Sequence, residues 1–297
     1  MKKIVVFGVG LIGGSFALAL KRAGVVQHVV GMGRSLPSME RALQLGIIDE
    51  IGQSDEAAVQ GADLVMLAAP VAQTEAILTR IAPYLEADTV VTDAGSTKAN
   101  VVAAARAALG EKVAKFVPGH PIAGGEQNGP EAALVDLYQG KKVVITALPE
   151  NQPADIASVQ QAWQACGAVI HALTPAEHDA VFASVSHLPH LLAFALVDDI
   201  ASKPHADILF QYAASGFRDF TRIAGSSPEM WRDISMANRA ALLHEMDAYL
   251  VQLIRMRKML VERDADGIEK IYANAQQARH SWLNSIEPAM PVVPAGN

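Results

Sequence analysis

The sequence predicts an α/β domain built on a parallel sheet, followed by an all-helical domain, and three observations carry that expectation. Short apolar runs at 4–7, 28–32, 64–69, 90–92, 116–117, 143–146 and 169–172 alternate with helical patterns, the rhythm of a parallel sheet with helices on both faces. A glycine-rich segment, Gly8-Val9-Gly10-Leu11-Ile12-Gly13, directly follows the first run and opens a helical stretch. From about Pro175 onward β-branched runs nearly vanish and the apolar spacing becomes helical.

The glycine segment comes first and its chemistry belongs to the backbone. Gly8 permits a tight strand-to-helix turn, Gly10 lets the main chain approach a pyrophosphate, and Gly13 lets the helix pack on the strand. The N–H groups that open the helix, at Leu11 and Ile12, then face the phosphates. Alone, such a motif is weak and also suits a turn kept for packing; its place between strand and helix points to dinucleotide binding in a Rossmann-like domain. The second run ends Met32-Gly33-Arg34-Ser35. An NAD enzyme usually presents an acid there to the ribose 2′-hydroxyl. None is present, and Arg34 and Ser35 stand where a 2′-phosphate would lie, which favours NADP over NAD. An arginine that stacks on adenine or points into solvent is the competing reading.

Two later strand ends carry polar groups toward the same sheet edge. Asp93-Ala94-Gly95-Ser96-Thr97-Lys98 is either a capped turn or part of a site. Gly119-His120-Pro121, followed by Gly124, Gly125 and Glu126, is harder to explain as packing, because a histidine between glycine and proline does not sit inside a helix. His120 is therefore a candidate catalytic residue. Thr174, Pro175 and Glu177 form the opening of a helix at the domain boundary. Within that helix Ser186 and His190 lie four residues apart on one face, with Pro189 able to kink it. His187 and His190 lack the third ligand of a zinc site, and no metal is expected. Segment 216–225 mixes glycine, Asp219, Arg218 and Arg222 ahead of Ser227, a helix cap, and Trp231. Two arginines exceed what one carboxylate needs, which suggests a site for an anionic substrate. Residues 230–263 read as one or two long helices, 264–267 interrupt them, and 268–286 resume.

Size and composition set the limits. At 297 residues the chain suits two domains, read as 1–173 (dinucleotide-binding) and 174–287 (helical), with a loose tail at 288–297 rich in proline. With 51% hydrophobic and 19% charged residues and no uninterrupted apolar run of about 18, no bilayer span is expected. The start of the chain lacks the long apolar stretch of an export signal. A single cysteine, Cys166, excludes an internal disulfide and fits a reducing, cytoplasmic location. A net charge of -7 without basic blocks speaks against nucleic acid as a partner.

Taken together, segments 8–15, 93–98, 119–126, 186–190 and 216–231 resemble, in order, the motif set of the prephenate/arogenate dehydrogenases, over roughly 3–282. The resemblance implies an N-terminal Rossmann-like domain, a helical C-terminal domain that makes most of a homodimer interface, and an active site at the cleft. It implies that His120 is the catalytic base, that Ser96 lies near the substrate hydroxyl and the cofactor, and that Arg222 binds a substrate carboxylate. Ser186, His190, Glu126 and Trp231 fall on positions lining the substrate pocket. The reaction so implied is hydride transfer from prephenate or arogenate to NAD(P), with loss of carbon dioxide as the ring becomes aromatic. This chain departs from the family pattern at Gly33, where an acid is common. Another two-domain dehydrogenase of small hydroxy acids would call for a lysine on the first helix of the second domain, and none stands between Thr174 and Ser202. A nicotinamide-sensing regulator would have no use for His120 and Arg222 together.

Overall fold

The computed structural model describes residues 1–125 and 127–286; the tail expected at 288–297 lies outside them. Six parallel strands, β1 (Lys3–Phe7), β2 (His28–Met32), β3 (Glu50–Ile51), β4 (Leu64–Leu67), β5 (Val90–Asp93) and β6 (Phe116–Val117), form one sheet in the order β3-β2-β1-β4-β5-β6. This is the doubly wound arrangement, with the strand order reversing beside β1. Alternate residues feed two cores. Ile4, Val6, Leu64 and Met66 pack on one face of the sheet, and Val5, Phe7, Val65 and Leu67 on the other. A strand buried on both faces reads as a continuous Val/Ile/Leu run, which is why these runs were visible in sequence. The two-residue β3 is too short to leave such a trace.

The runs at 143–146 and 169–172 do not join the parallel sheet, contrary to the sequence-based expectation. They become β8 (Lys142–Ile145) and β9 (Val169–Ala172) of a separate three-stranded sheet with β7 (Gly119–Pro121). β7 pairs antiparallel to β8, with His120 opposite Val144, and β8 pairs parallel to β9. The cause lies at Pro118, between β6 and β7. Proline offers no N–H to extend the first ladder, and its carbonyl accepts instead from the Thr146 N–H, at 3.0 Å. A helix over Pro153–Ala165 buries Trp163 against Phe16 and Tyr138, with ring centroids 4.6 and 5.0 Å away. The Tyr138 hydroxyl donates to the Ile12 carbonyl, at 2.6 Å, at the start of the helix after β1. Burial pushes the nearby Cys166 thiol up to about 12, so it is a packing residue rather than a reactive one.

The helical part opens as expected. Thr174 and Glu177 close a reciprocal capping box at Pro175–Phe182. The helix then passes through a π turn, Ala183–His187, into Leu188–Ala201. The Leu188 N–H reaches back five residues to the Ala183 carbonyl, and Pro189 has no N–H with which to restore the four-residue ladder. Pro175–Ala201 is long and apolar enough to cross a membrane by length and composition. It also carries His178, Asp179 and His187 as buried polar residues, and Asp179 ties it to the sheet domain. Two helices, Pro228–Ala237 and Arg239–Glu262, cover the next stretch and break at Asn238. A last helix, Ala265–Ile286, begins earlier than the sequence suggested, after Arg263 takes a positive φ of 58°.

By contacts, Met1–Leu242 forms one compact unit and the chain from Leu243 a second. The first unit extends past residue 174 because its helices are tied to the sheet domain. Both Asp179 oxygens accept backbone N–H groups, of Lys98 at 2.7 Å and Ala99 at 2.8 Å. Asn238 donates in turn to the Asp179 carbonyl, at 2.7 Å. In the second unit Leu250, Val251, Ile254, Leu260, Val261 and Trp282 are exposed apolar residues on two helices.

Candidate active site

At the carboxyl end of β1, Gly8 has a φ of +95°, a conformation that favours glycine, and a Cβ there would lie 2.6 Å from the Ala68 carbonyl oxygen. Gly13 is as tightly enclosed, since a Cβ would meet the Gly8 carbonyl oxygen at 2.2 Å. Gly10 is different: nothing of the protein lies within 4 Å of where its Cβ would be. It caps the helix Leu11–Arg22, which has no side-chain cap and no acid in its first turn. The open space before bare helix N–H groups at Leu11 and Ile12 fits a dinucleotide pyrophosphate. At the end of β2, Arg34 is exposed and Ser35 caps the helix Leu36–Gln44. The Ser35 oxygen accepts from the Ser38 N–H at 3.4 Å and the Ser38 hydroxyl at 3.0 Å, so only its own hydroxyl proton is left to donate.

After β5 the chain builds a buried ion pair. Lys98 is fully buried, and its ammonium meets the Asp93 carboxylate and the Gly119 carbonyl, the latter at 2.7 Å. Asp93 also accepts from the Gly95 N–H at 2.8 Å and the Gly119 N–H at 3.1 Å. Burial lowers the lysine pKa, while Asp93 and then Asp179 oppose that shift. The pair staples β7 to β5 and thereby sets the position of His120, the middle residue of β7.

His120 is half-buried and sits in a hydrogen-bonded row. The Asp179 carboxylate lies 2.8 Å from His178 Nδ1, and His178 Nε2 lies 2.8 Å from His120 Nδ1. Phe182 packs edge-on against His120 with centroids 4.9 Å apart and contacts His178 at 4.5 Å. Burial, then the positive charge that His178, Lys98 and His187 can carry, holds the His120 pKa well below 6.5. Burial opposes ionisation of Asp179, but the bonds from His178, Ala99 and Lys98 outweigh it and keep the pKa below the usual carboxylate value.

His187 and His190 continue the cluster. The His187 pKa is lowered to about 4, chiefly by burial, with the Ser96 main chain and Asp179 acting in the opposite sense. Asn238 reaches His187 Nδ1 at 3.1 Å, and the His187 ring lies 6.0 Å from Trp231. His190 stacks face to face on Trp231, with centroids 3.6 Å apart and planes inclined by 18°. Its Nδ1–H donates to the Ser186 carbonyl at 2.8 Å. Burial lowers the His190 pKa, and the charge of Arg222 lowers it further. Arg222 opens a short turn, Arg222–Gly225, ahead of the helix capped by Ser227.

Within this unit His120, His190, Trp231, Arg222 and the main chains of Ser186 and Ser96 thus belong to one cluster. The glycine turn stands at the reversal of the sheet beside β4, and Glu126 lies outside the described residues. Sequence reading missed His178, Asp179 and Asn238, and it gave Lys98 no role. Adjacent positions on a helix do not normally face each other, so the His178-Asp179 doublet carried no periodic signal. Among the described residues no group of three or more His, Cys, Asp or Glu could hold a metal.

Two family descriptions match the chain: "Prephenate dehydrogenase, nucleotide-binding domain" over residues 16–172 and "Prephenate dehydrogenase, dimerization domain" over 174–274. A cyclohexadienyl dehydrogenase of Zymomonas mobilis is 33% identical over 282 residues, covering 94% of this chain and 95% of the relative. A prephenate dehydrogenase of Bacillus subtilis is 34% identical, covering 93% of this chain and 75% of the relative. Among solved structures, prephenate dehydrogenase from A. aeolicus in complex with hydroxyphenyl propionate and NAD+ superposes with a TM-score of 0.88 at 37% identity, covering 95% of this chain and 98% of that one.

Proposed function

The chain belongs to the prephenate dehydrogenase family, and from that premise we propose that it oxidises and decarboxylates prephenate, arogenate or both, giving 4-hydroxyphenylpyruvate or tyrosine, as a step of tyrosine biosynthesis. It is a dehydrogenase with a nicotinamide cofactor. The observation that carries the reading is His120, an imidazole in the middle of β7, kept neutral by burial and backed through His178 by the Asp179 carboxylate. A neutral base is what the alcohol oxidation needs.

When bound, the dinucleotide supplies the hydride acceptor. Gly10, Leu11 and Ile12 would hold its pyrophosphate on the turn that Gly8 and Gly13 shape, and Arg34 and Ser35 would hold the ribose beyond it. His120 Nε2 takes the ring hydroxyl proton as the hydride leaves C4, and Ser96 orients that hydroxyl. The bond to the ring carboxylate then breaks. Its electron pair enters the ring, carbon dioxide leaves, and the ring oxygen recovers the proton from His120. Aromatisation drives the step, so the protein supplies orientation, proton transfer and anion binding. Arg222 holds a substrate carboxylate, and Ser186, His190 and Trp231 line the pocket. The enzyme works in the cytoplasm as a homodimer through its helical domain, whose exposed apolar residues in the second unit support that use.

The decisive experiment crosses prephenate and arogenate with NAD and NADP in steady-state assays. Turnover with at least one combination is expected, and none with any of the four would overturn the reading. NADP is the favoured cofactor, because no carboxylate stands at the end of β2. Gly33→Asp is then expected to shift the preference toward NAD by roughly fivefold to tenfold, about 1 kcal/mol of repulsion at the 2′-phosphate. The new Cβ displaces only the flexible end of Met39, 2.8 Å away. A wild-type protein that uses NAD at least as efficiently as NADP would sink this cofactor assignment.

Arg222→Lys keeps the charge but loses the planar fork. KM is expected to rise by roughly 10–100-fold, the loss of one strong charged hydrogen bond, with cofactor affinity unchanged by equilibrium titration. An unchanged KM would remove Arg222 from the substrate site.

A further inference from the structure

We infer that Asp179 and His178 are positioning residues that fix His120 as its Nδ1–H tautomer, so that the Nε2 lone pair faces the substrate hydroxyl. The inference rests on the reading of His120 as proton acceptor, but its structural half can be measured without substrate.

The direction of the row follows from its charged end. An ionised carboxylate only accepts hydrogen bonds. Asp179 accepts from two backbone N–H groups at the start of the helix Ala99–Leu109, which holds it in place and favours its charge. His178 Nδ1, 2.8 Å from the carboxylate, must therefore be the protonated nitrogen. A neutral His178 then offers only a lone pair at Nε2. The group facing that lone pair at 2.8 Å is His120 Nδ1, which must donate. A neutral His120 is thus left with its lone pair at Nε2. The opposite direction would set the His178 Nδ1 lone pair against the carboxylate lone pairs, at a distance where only a hydrogen bond is tolerated. His178 is fully buried, so water does not offer it a substitute partner, and Phe182 packs against both rings.

The arrangement also serves the charge that forms. When the proton passes from the substrate oxygen to His120 Nε2, one O–H bond breaks and one N–H bond forms. No other bond in the row need change. The resulting imidazolium is hydrogen-bonded through His178 to a carboxylate, the logic of a carboxylate-backed histidine with one further ring inserted.

Nitrogen-15 NMR of the histidine rings tests the inference directly, since protonated and lone-pair ring nitrogens have well separated shifts. In the wild-type protein at neutral pH, His120 is expected to carry its proton on Nδ1. His178→Leu removes the acceptor, so His120 should revert to the Nε2–H form, and kcat should fall roughly 10–100-fold, as when partners that orient a functional ring are removed, with KM little changed. His178→Gln, whose side-chain oxygen can face His120 while its amide faces Asp179, is expected to recover the Nδ1–H form and most of kcat. A wild-type His120 protonated on Nε2 overturns the inference. So does a leucine variant that keeps both the Nδ1–H form and wild-type kcat, and so does failure of glutamine to improve on leucine. Should the leucine variant not fold, the wild-type spectrum and the glutamine variant still decide. If His120→Asn proves fully active while the Nδ1–H form is seen, the assignment of His120 as base fails and the tautomer assignment stands.

Discussion

Replacement of His120 by asparagine is expected to lower kcat/KM by roughly 10²–10⁴, the usual contribution of a positioned general base. Asparagine can still hydrogen-bond the substrate hydroxyl but cannot take its proton, so substrate affinity and folding should be largely retained. The pH profile adds a second reading. The base must be neutral, so wild-type kcat/KM falls as pH drops through the free-enzyme pKa of His120. An unperturbed histidine would place that limb near 6.5. Burial lowers this pKa well below 6.5, so the profile should stay flat through 6.5 and decline only at more acidic pH. Profiles of both proteins, with binding measured separately, check the claim. Near-wild-type turnover in the variant would transfer the role to another group, with His190 the next candidate.

Lys98→Met is expected to cost about 3–5 kcal/mol of folding stability, as when one member of a buried ion pair is removed. The loss arises less from the missing attraction than from the stranded Asp93 carboxylate, which is 2% exposed. Adding Asp93→Asn removes the stranded charge and should recover a large share of that stability. Urea denaturation of the two variants beside the wild type measures both. A loss below about 1 kcal/mol for Lys98→Met would show that Asp93 finds another partner. Activity should fall along with stability, since Asp93 and Lys98 both bond the backbone of Gly119, next to His120.

The parallel sheet was legible because its strands are buried on both faces and so write themselves as unbroken apolar runs. The glycine turn was legible because two of its glycines stand where any Cβ would strike backbone. The second sheet was not, since strands of four residues look alike whichever sheet they join, and their place is decided by pairings that lead back to β7, far off in sequence, and begin with the hydrogen bond from Thr146 to Pro118. The site was half legible. Residues such as His120 and Arg222 stood out in glycine-rich or charged surroundings that packing does not explain. His178 and Asp179 sit inside an ordinary helix, and their meaning comes from Lys98, Ala99 and His120, some 60 to 80 positions away. No local pattern records that kind of partnership.

The π turn at Ala183–His187 has a geometric consequence for how one helix serves two parts of the site. In a regular α-helix each residue advances the phase by about 100°. The twelve steps from His178 to His190 would leave the two side chains about 120° apart, one toward β7 and the other turned away from it. A π turn absorbs one additional residue, so the phase between them becomes that of eleven regular steps, about 20°. The histidine that backs the base and the histidine stacked on Trp231 therefore share one stripe, three turns apart, with the correction in phase lying between them.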